Sequence, residues 1–193
     1  MENEKLASLR NQILNLTKEY FEEKIEQEPT FVPYISSIPV TGKVLGSEDI
    51  VNLVDSSLDA WLTAGRFSDL FEEKIRKYLG IRHCLFVNSG SSANLLAISA
   101  IKILYDIKDG SEVITSAVNF PTTLNPIIQN NLKPILVDIE PQNYNINTQL
   151  IEDQINEKTV GIVLAHTLGN PFNVREIVRI AKKYNLFLME EKS

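Results

Sequence analysis

From residue 84 onward, short apolar runs alternate with helix-patterned stretches, and this alternation restricts the possible architecture more than any other feature. The runs span residues 84–87, 113–115, 135–137, 160–164 and 187–189. Between them, residues 92–105, 122–130, 148–156 and 174–184 carry apolar side chains at helical spacing. A strand, a helix and a further strand close into a right-handed parallel crossover. The repeat therefore predicts an α/β fold, a mostly parallel sheet with helices on both faces. The runs are apolar throughout, as strands covered on both sides are.

Upstream, residues 5–25 read as an amphipathic helix, with Leu6, Leu9, Ile13, Leu14, Leu16, Tyr20 and Phe21 close to one side. Residues 27–46 carry Pro29, Pro33, Pro39, Gly42 and Gly46, which break helix and predict an extended arm. Ser47 reads as the N-cap of the next helix, followed by the acidic Glu48 and Asp49. A further helix is expected over 68–78, ended by Gly80. The expected division is an N-terminal helix and arm over 1–46 and an α/β domain over 47–193.

With 193 residues and 44% hydrophobic composition the chain can bury an ordinary core. Its net charge of −6 without a basic stripe argues against nucleic-acid binding. No run approaches the roughly 18 apolar residues of a membrane span. The one cysteine, Cys84, excludes a disulfide framework and reads as a buried hydrophobe in the first strand. A cytoplasmic location is the expectation.

In parallel sheets ligands bind beyond the carboxyl ends of the strands, and four features fall on that edge. The segment Val87-Asn88-Ser89-Gly90-Ser91-Ser92-Ala93 turns from an apolar run into a helix, which is a phosphate cradle in outline. Gly90 has no Cβ to obstruct an anion, Ser91 and Ser92 offer hydroxyls, and first-turn amides point outward. The same residues also suit an ordinary serine N-cap. Phe120, just before Pro121, either lies flat on a planar ring or packs beneath the sheet edge. Of Glu190 and Glu191, one facing the site would hold the protonated nitrogen of a pyridinium ring, and otherwise both are solvated strand-end charges. His166 either contacts a cofactor ring or hydrogen-bonds within its own Gly-Asn-Pro loop. Asp138 and Asn147 read as turn and N-cap residues.

An anion site, a ring clamp and a carboxylate partner are the requirements of pyridoxal or pyridoxamine 5′-phosphate. At these residues the chain also resembles a known family. Val40-Thr41-Gly42-Lys43-Val44, Asp59-Ala60-Trp61-Leu62-Thr63-Ala64-Gly65-Arg66-Phe67, Ser89 to Ala97, Phe120-Pro121-Thr122-Thr123 and Ala165-His166-Thr167-Leu168-Gly169-Asn170-Pro171 are similar to the DegT/DnrJ/EryC1/StrS aminotransferases. The resemblance covers nearly the whole chain. It is closest to the 3-dehydrase branch that acts on CDP-4-dehydro-6-deoxyglucose in lipopolysaccharide O-antigen synthesis.

The resemblance implies the large domain of the type I aspartate-aminotransferase-like fold and a homodimer acting on a nucleotide-linked sugar. It places Gly90, Ser91 and Ser92 at the phosphate, Phe120 on the pyridine ring and Glu191 where the family has an aspartate at the ring nitrogen. It further implies a [2Fe-2S] cluster served by a reductase, with a histidine replacing the aminotransferases' lysine. The catalytic histidine or lysine, most cluster cysteines and the small C-terminal domain are expected beyond Ser193. Such a truncated chain would be inactive alone. Three departures stand at the end: Glu191 for aspartate, Lys192 for Asn or Cys, and Ser193 for a cluster cysteine, so this chain does not support the cluster. A nucleotide-sugar aminotransferase and a non-catalytic remnant or dimer partner are the alternative readings.

Overall fold

The computed structural model describes residues 4–39, 42 and 44–192. Val40, Thr41 and Lys43 of the family-like run, and Ser193, lie outside the described residues. The chain divides into two compact units, residues 1–86 and 87–193.

The first unit is helical: α1 (Glu4–Glu26), α2 (Ser47–Leu58) and α3 (Arg66–Leu79). α1 packs along α2, and none of the three helices has a buried residue. A network of ion pairs joins the three helices. Arg10 Nε donates to Asp55 Oδ1 at 2.5 Å and Arg10 Nη2 to Asp59 Oδ1 at 2.6 Å, while Arg66 meets the same two carboxylates at 2.8 and 2.7 Å. Hydrogen bonds from Arg66 and then Arg10 pull Asp59 down to about 2. The α2 cap lies one residue earlier than expected: Gly46 is the N-cap, and its N–H donates to Asp49 Oδ2 at 2.8 Å. α3 ends as the sequence predicts, with Gly80 at φ 66°.

Residues 84–87 do not form the expected strand, because no neighbouring strand shares a ladder with them. Phe86 N–H instead donates to Glu72 Oε1 at 2.8 Å, its ring meets Phe71 edge-on, and Cys84 is half-buried in a loop.

The second unit is the α/β layer structure: α4 (Gly90–Leu104), β1 (Glu112–Ser116), α5 (Pro121–Gln129), β2 (Lys133–Val137), β3 (Thr159–Ala165), α6 (Val174–Lys183) and β4 (Phe187–Glu191). All strand pairs are parallel and the order is β2-β1-β3-β4. The fold is thus the expected parallel α/β sheet flanked by helices, consistent with part of a type I large domain.

Within each strand, alternation sends successive residues to opposite faces. Ile114, Val137, Ile162 and Leu164 pack with Ile177, Ile180 and Ala181 of α6. Val113 and Val163 pack on the other face with Ile98 of α4 and Ile127 of α5. The β2–β3 connection completes the α6 face with Ile146 and Ile151. It is not the α-helix expected over 148–156 but two 3₁₀ turns, Thr148–Leu150 and Glu152–Gln154. Asn147 Oδ1 accepts from Gln149 N–H, as an N-cap residue does, and the turns close by i to i+3 bonds that leave Ile151 facing the core.

From β1 the chain steps outward to β2 and then returns across β1 to β3. Right-handed crossovers in opposite directions place α5 and α6 on opposite faces, and the crevice opens between the carboxyl ends of β1 and β3. No helix among the described residues is long and apolar enough to cross a membrane.

Candidate cofactor site at the carboxyl edge of the sheet

Helix α4 begins at Gly90 after an extended Ser89, which caps it. Ser89 Oγ accepts the Ser92 N–H at 3.2 Å and lies 3.2 Å from Ser92 Oγ. The Ala93 N–H bonds to the Ser89 carbonyl, so the Gly90 and Ser91 amides precede the first intrahelical acceptor and are directed outward. A Cβ at Gly90 would meet nothing within 4 Å. This first turn therefore has open space, two amides without an intrahelical acceptor, an exposed Ser91 hydroxyl and the positive end of a helix dipole, all suited to a phosphate.

Helix α5 enters through Phe120, its N-cap, with Pro121 at the first helical position. Asn119 shapes that turn: its Nδ2 donates to Thr115 Oγ1 at 2.8 Å and to the Ser116 carbonyl at 3.1 Å. The Phe120 side chain is 70% exposed, leaving a ring face free to stack.

Two hydrogen bonds tie these pieces into one edge. Asn94 Nδ2, in the second turn of α4, donates to the Thr122 carbonyl at 3.1 Å. Four residues after Thr122 stands Pro126, which has no N–H to give that carbonyl its helical bond. Asn94 supplies the missing donor. Thr123 Oγ1 then donates to Glu191 Oε2 at 2.5 Å, joining α5 to the end of β4. Asn94 is 6% and Thr123 1% exposed.

Neighbouring glutamates part ways here. Glu191 takes the α4/α5 face, while Glu190 takes the α6 face and lies 3.5 Å from His166 Nε2. The structure does not bring His166 into the group formed by α4, α5 and Glu191. Its ring stacks on Phe172 at 4.3 Å and 3°, on the face where Phe172 joins the α6 core. Its backbone N–H nevertheless donates to the Glu191 carbonyl at 3.0 Å, so it fixes the strand that bears the carboxylate.

Asn94, Thr123 and Ser89 did not stand out as site residues in the sequence. The signal for two of them was present: Asn94 precedes Ile98, and Thr123 precedes Ile127, by one helical turn. A polar side chain at the end of a buried stripe needs a partner, and here both partners lie on the edge. Among the described residues no group of three or more His, Cys, Asp or Glu is gathered as a metal site. The single cysteine offers one of the four ligands that a [2Fe-2S] cluster takes.

Comparison with known proteins places the chain in a wider group. The DegT/DnrJ/EryC1/StrS aminotransferase family matches residues 45–193. The lipopolysaccharide biosynthesis protein RfbH of Salmonella typhimurium is 48% identical over 188 residues, 95% of this chain and 43% of that protein. The dTDP-4-dehydro-2,6-dideoxy-D-glucose 3-dehydratase of Saccharopolyspora spinosa is 42% identical over 192 residues, 97% of this chain and 41% of that enzyme. The chain thus spans less than half the length of these relatives. Among solved structures, E. coli GDP-4-keto-6-deoxy-D-mannose-3-dehydratase with bound hydrated PLP superposes with a TM-score of 0.66 at 32% identity, over 72% of this chain and 37% of that one. In sequence and in fold, the chain belongs to the DegT/DnrJ/EryC1/StrS aminotransferase family.

Proposed function

We propose that this edge holds pyridoxal or pyridoxamine 5′-phosphate, with Gly90, Ser91 and Ser92 at the phosphate, Phe120 over the ring and Glu191 at the ring nitrogen. The observation that carries the reading is the pair of hydrogen bonds from Asn94 to Thr122 and from Thr123 to Glu191. They tie an anion-ready helix terminus to a carboxylate through the helix that Phe120 begins. The cofactor, when bound, supplies an electron sink for bond cleavage beside a sugar carbonyl. The chain's own part is to neutralise the phosphate with the Gly90 and Ser91 amides, to set the ring plane with Phe120 and to keep a proton on the ring nitrogen with Glu191.

The proposed activity is removal of the 3-hydroxyl from a CDP-linked 4-keto-6-deoxyhexose, carried out by a dimeric protein of the relatives' length with these residues supplying the cofactor contacts. Identity of 42% to a 3-dehydratase supports this reading. The second reading, amino transfer to a nucleotide-linked keto sugar, is the one the family's name favours.

Equilibrium dialysis of the chain against pyridoxal and pyridoxamine phosphate tests the cofactor reading. Saturable binding that Ser91→Asp abolishes, with unchanged circular dichroism, is the expected result. A folded wild-type chain that binds neither compound overturns it.

A further inference from the structure

We infer that Thr123 is a positioning residue for Glu191, an inference that rests on the cofactor reading and adds to it the device that aims the ring-nitrogen partner. Thr123 Oγ1 lies 2.5 Å from Glu191 Oε2. An ionised carboxylate only accepts, so the hydroxyl is the donor. Thr123 is itself fixed: it is 1% exposed, its N–H bonds to the Phe120 carbonyl at 3.0 Å, and it stands one turn before the fully buried Ile127.

Glutamate has one more rotatable bond than the aspartate at the corresponding place in the family pattern, so its carboxylate reaches further and is less constrained by its own backbone. Two contacts supply the constraint. The Glu191 carbonyl is held by the His166 N–H, and Ala165 stands beside Glu191 in register. The carboxylate is held by Thr123 from the helix above. One oxygen is thereby occupied, and the other is left for a second donor.

By fixing Oε2 the hydroxyl keeps the carboxylate in one place, with its other oxygen open to the N–H of a ring nitrogen. The first turns of α4 and α5 and the residues just after β1 contain no ionisable side chain. His166 and Glu190 pair on the opposite face, and Lys192 follows Glu191 in the chain. Thr123 thus orients Glu191 on a face where those neighbouring elements contribute no charge.

The test compares wild type with Thr123→Val, which keeps the shape without the hydroxyl, and Thr123→Ser, which keeps the hydroxyl. Two quantities are read: the affinity for pyridoxamine phosphate, and the pH at which the bound ring loses its proton, followed by absorbance. Displacement by inorganic phosphate reports the α4 cradle separately. Thr123→Val is expected to weaken pyridoxamine phosphate about tenfold, lower the pH of ring deprotonation and leave inorganic phosphate affinity unchanged. Thr123→Ser is expected to restore both values. A Thr123→Val chain with wild-type affinity and the wild-type pH profile overturns this inference alone. Equal loss of phosphate affinity also overturns it, since the residue is then merely structural. A wild-type chain that binds no pyridoxamine phosphate overturns the cofactor reading, and this inference with it.

Discussion

Asn94 gives the Thr122 carbonyl the hydrogen bond that Pro126 cannot, across 28 residues of sequence. The proline opens a gap in the first turn of α5, and a buried side chain of α4 fills it. Asn94→Leu strands the carbonyl in apolar surroundings and is expected to cost about 1–3 kcal/mol in urea unfolding. Pro126→Ala returns a backbone donor to that carbonyl. In the double variant the cost of Asn94→Leu should therefore shrink, and simple additivity of the two changes would refute the pairing.

A second expectation concerns the α4 cap. Ser89→Ala removes the acceptor of the Ser92 N–H and should cost about 1 kcal/mol. Phosphate in the buffer offers a replacement acceptor at the same turn. The melting-temperature deficit of Ser89→Ala should narrow as inorganic phosphate is added, by mass action on the folded state. A deficit that ignores phosphate would count against an anion site there.

Packing between β3 and β4 depends on a glycine. Gly161 stands beside Phe187 in register, and a Cβ on Gly161 would overlap the Phe187 ring. Gly161→Ala should destabilise by about 1–3 kcal/mol through overpacking. Phe187→Leu removes the overlapping ring edge, so the double variant should be more stable than the sum of the single effects. Thermal unfolding of the four chains measures this.

Acid stability should depend on Glu152, which joins the β2–β3 connection to α6. Hydrogen bonds from Lys183, Tyr184 and Arg179 pull its carboxyl down to about 2. Because the folded value lies below the unfolded one, the contribution is fully present above the unfolded carboxylate range near pH ~4.3 and is lost as pH falls toward about 2. Glu152→Gln should flatten the stability profile between those limits and change little of its slope at neutral pH. An unchanged acid limb, followed by circular dichroism, would rule the cluster out as a contributor.

Much of this unit was legible from periodicity. The spacing of Ile98, Ile127, Ile177 and Ile180 marked the helices, and unbroken apolar runs marked four parallel strands. Strand–helix alternation put Phe120 just after β1 and Glu191 at the carboxyl end of β4, but Ser91 was expected to follow a strand at 84–87 that does not form, and α4 instead meets α5 through Asn94 and Thr122. The run at 84–87 has the same local character as the true strands, yet pairing depends on a neighbour, which local pattern does not encode. Residues 148–156 likewise carry helical spacing but close as 3₁₀ turns around Asn147 and the buried Ile151.

The local repeat of apolar and polar residues determined by itself that this chain builds a parallel α/β layer. Tertiary structure decided which side chains meet at its carboxyl edge. Strand order sends α5 and α6 to opposite faces, and alternation at the end of β4 then gives Glu191 to Thr123 and Glu190 to His166. Contacts spanning 28 and 68 residues depend on how strands are ordered and helices laid over them, and a period of two or of 3.6 residues carries no information at that range.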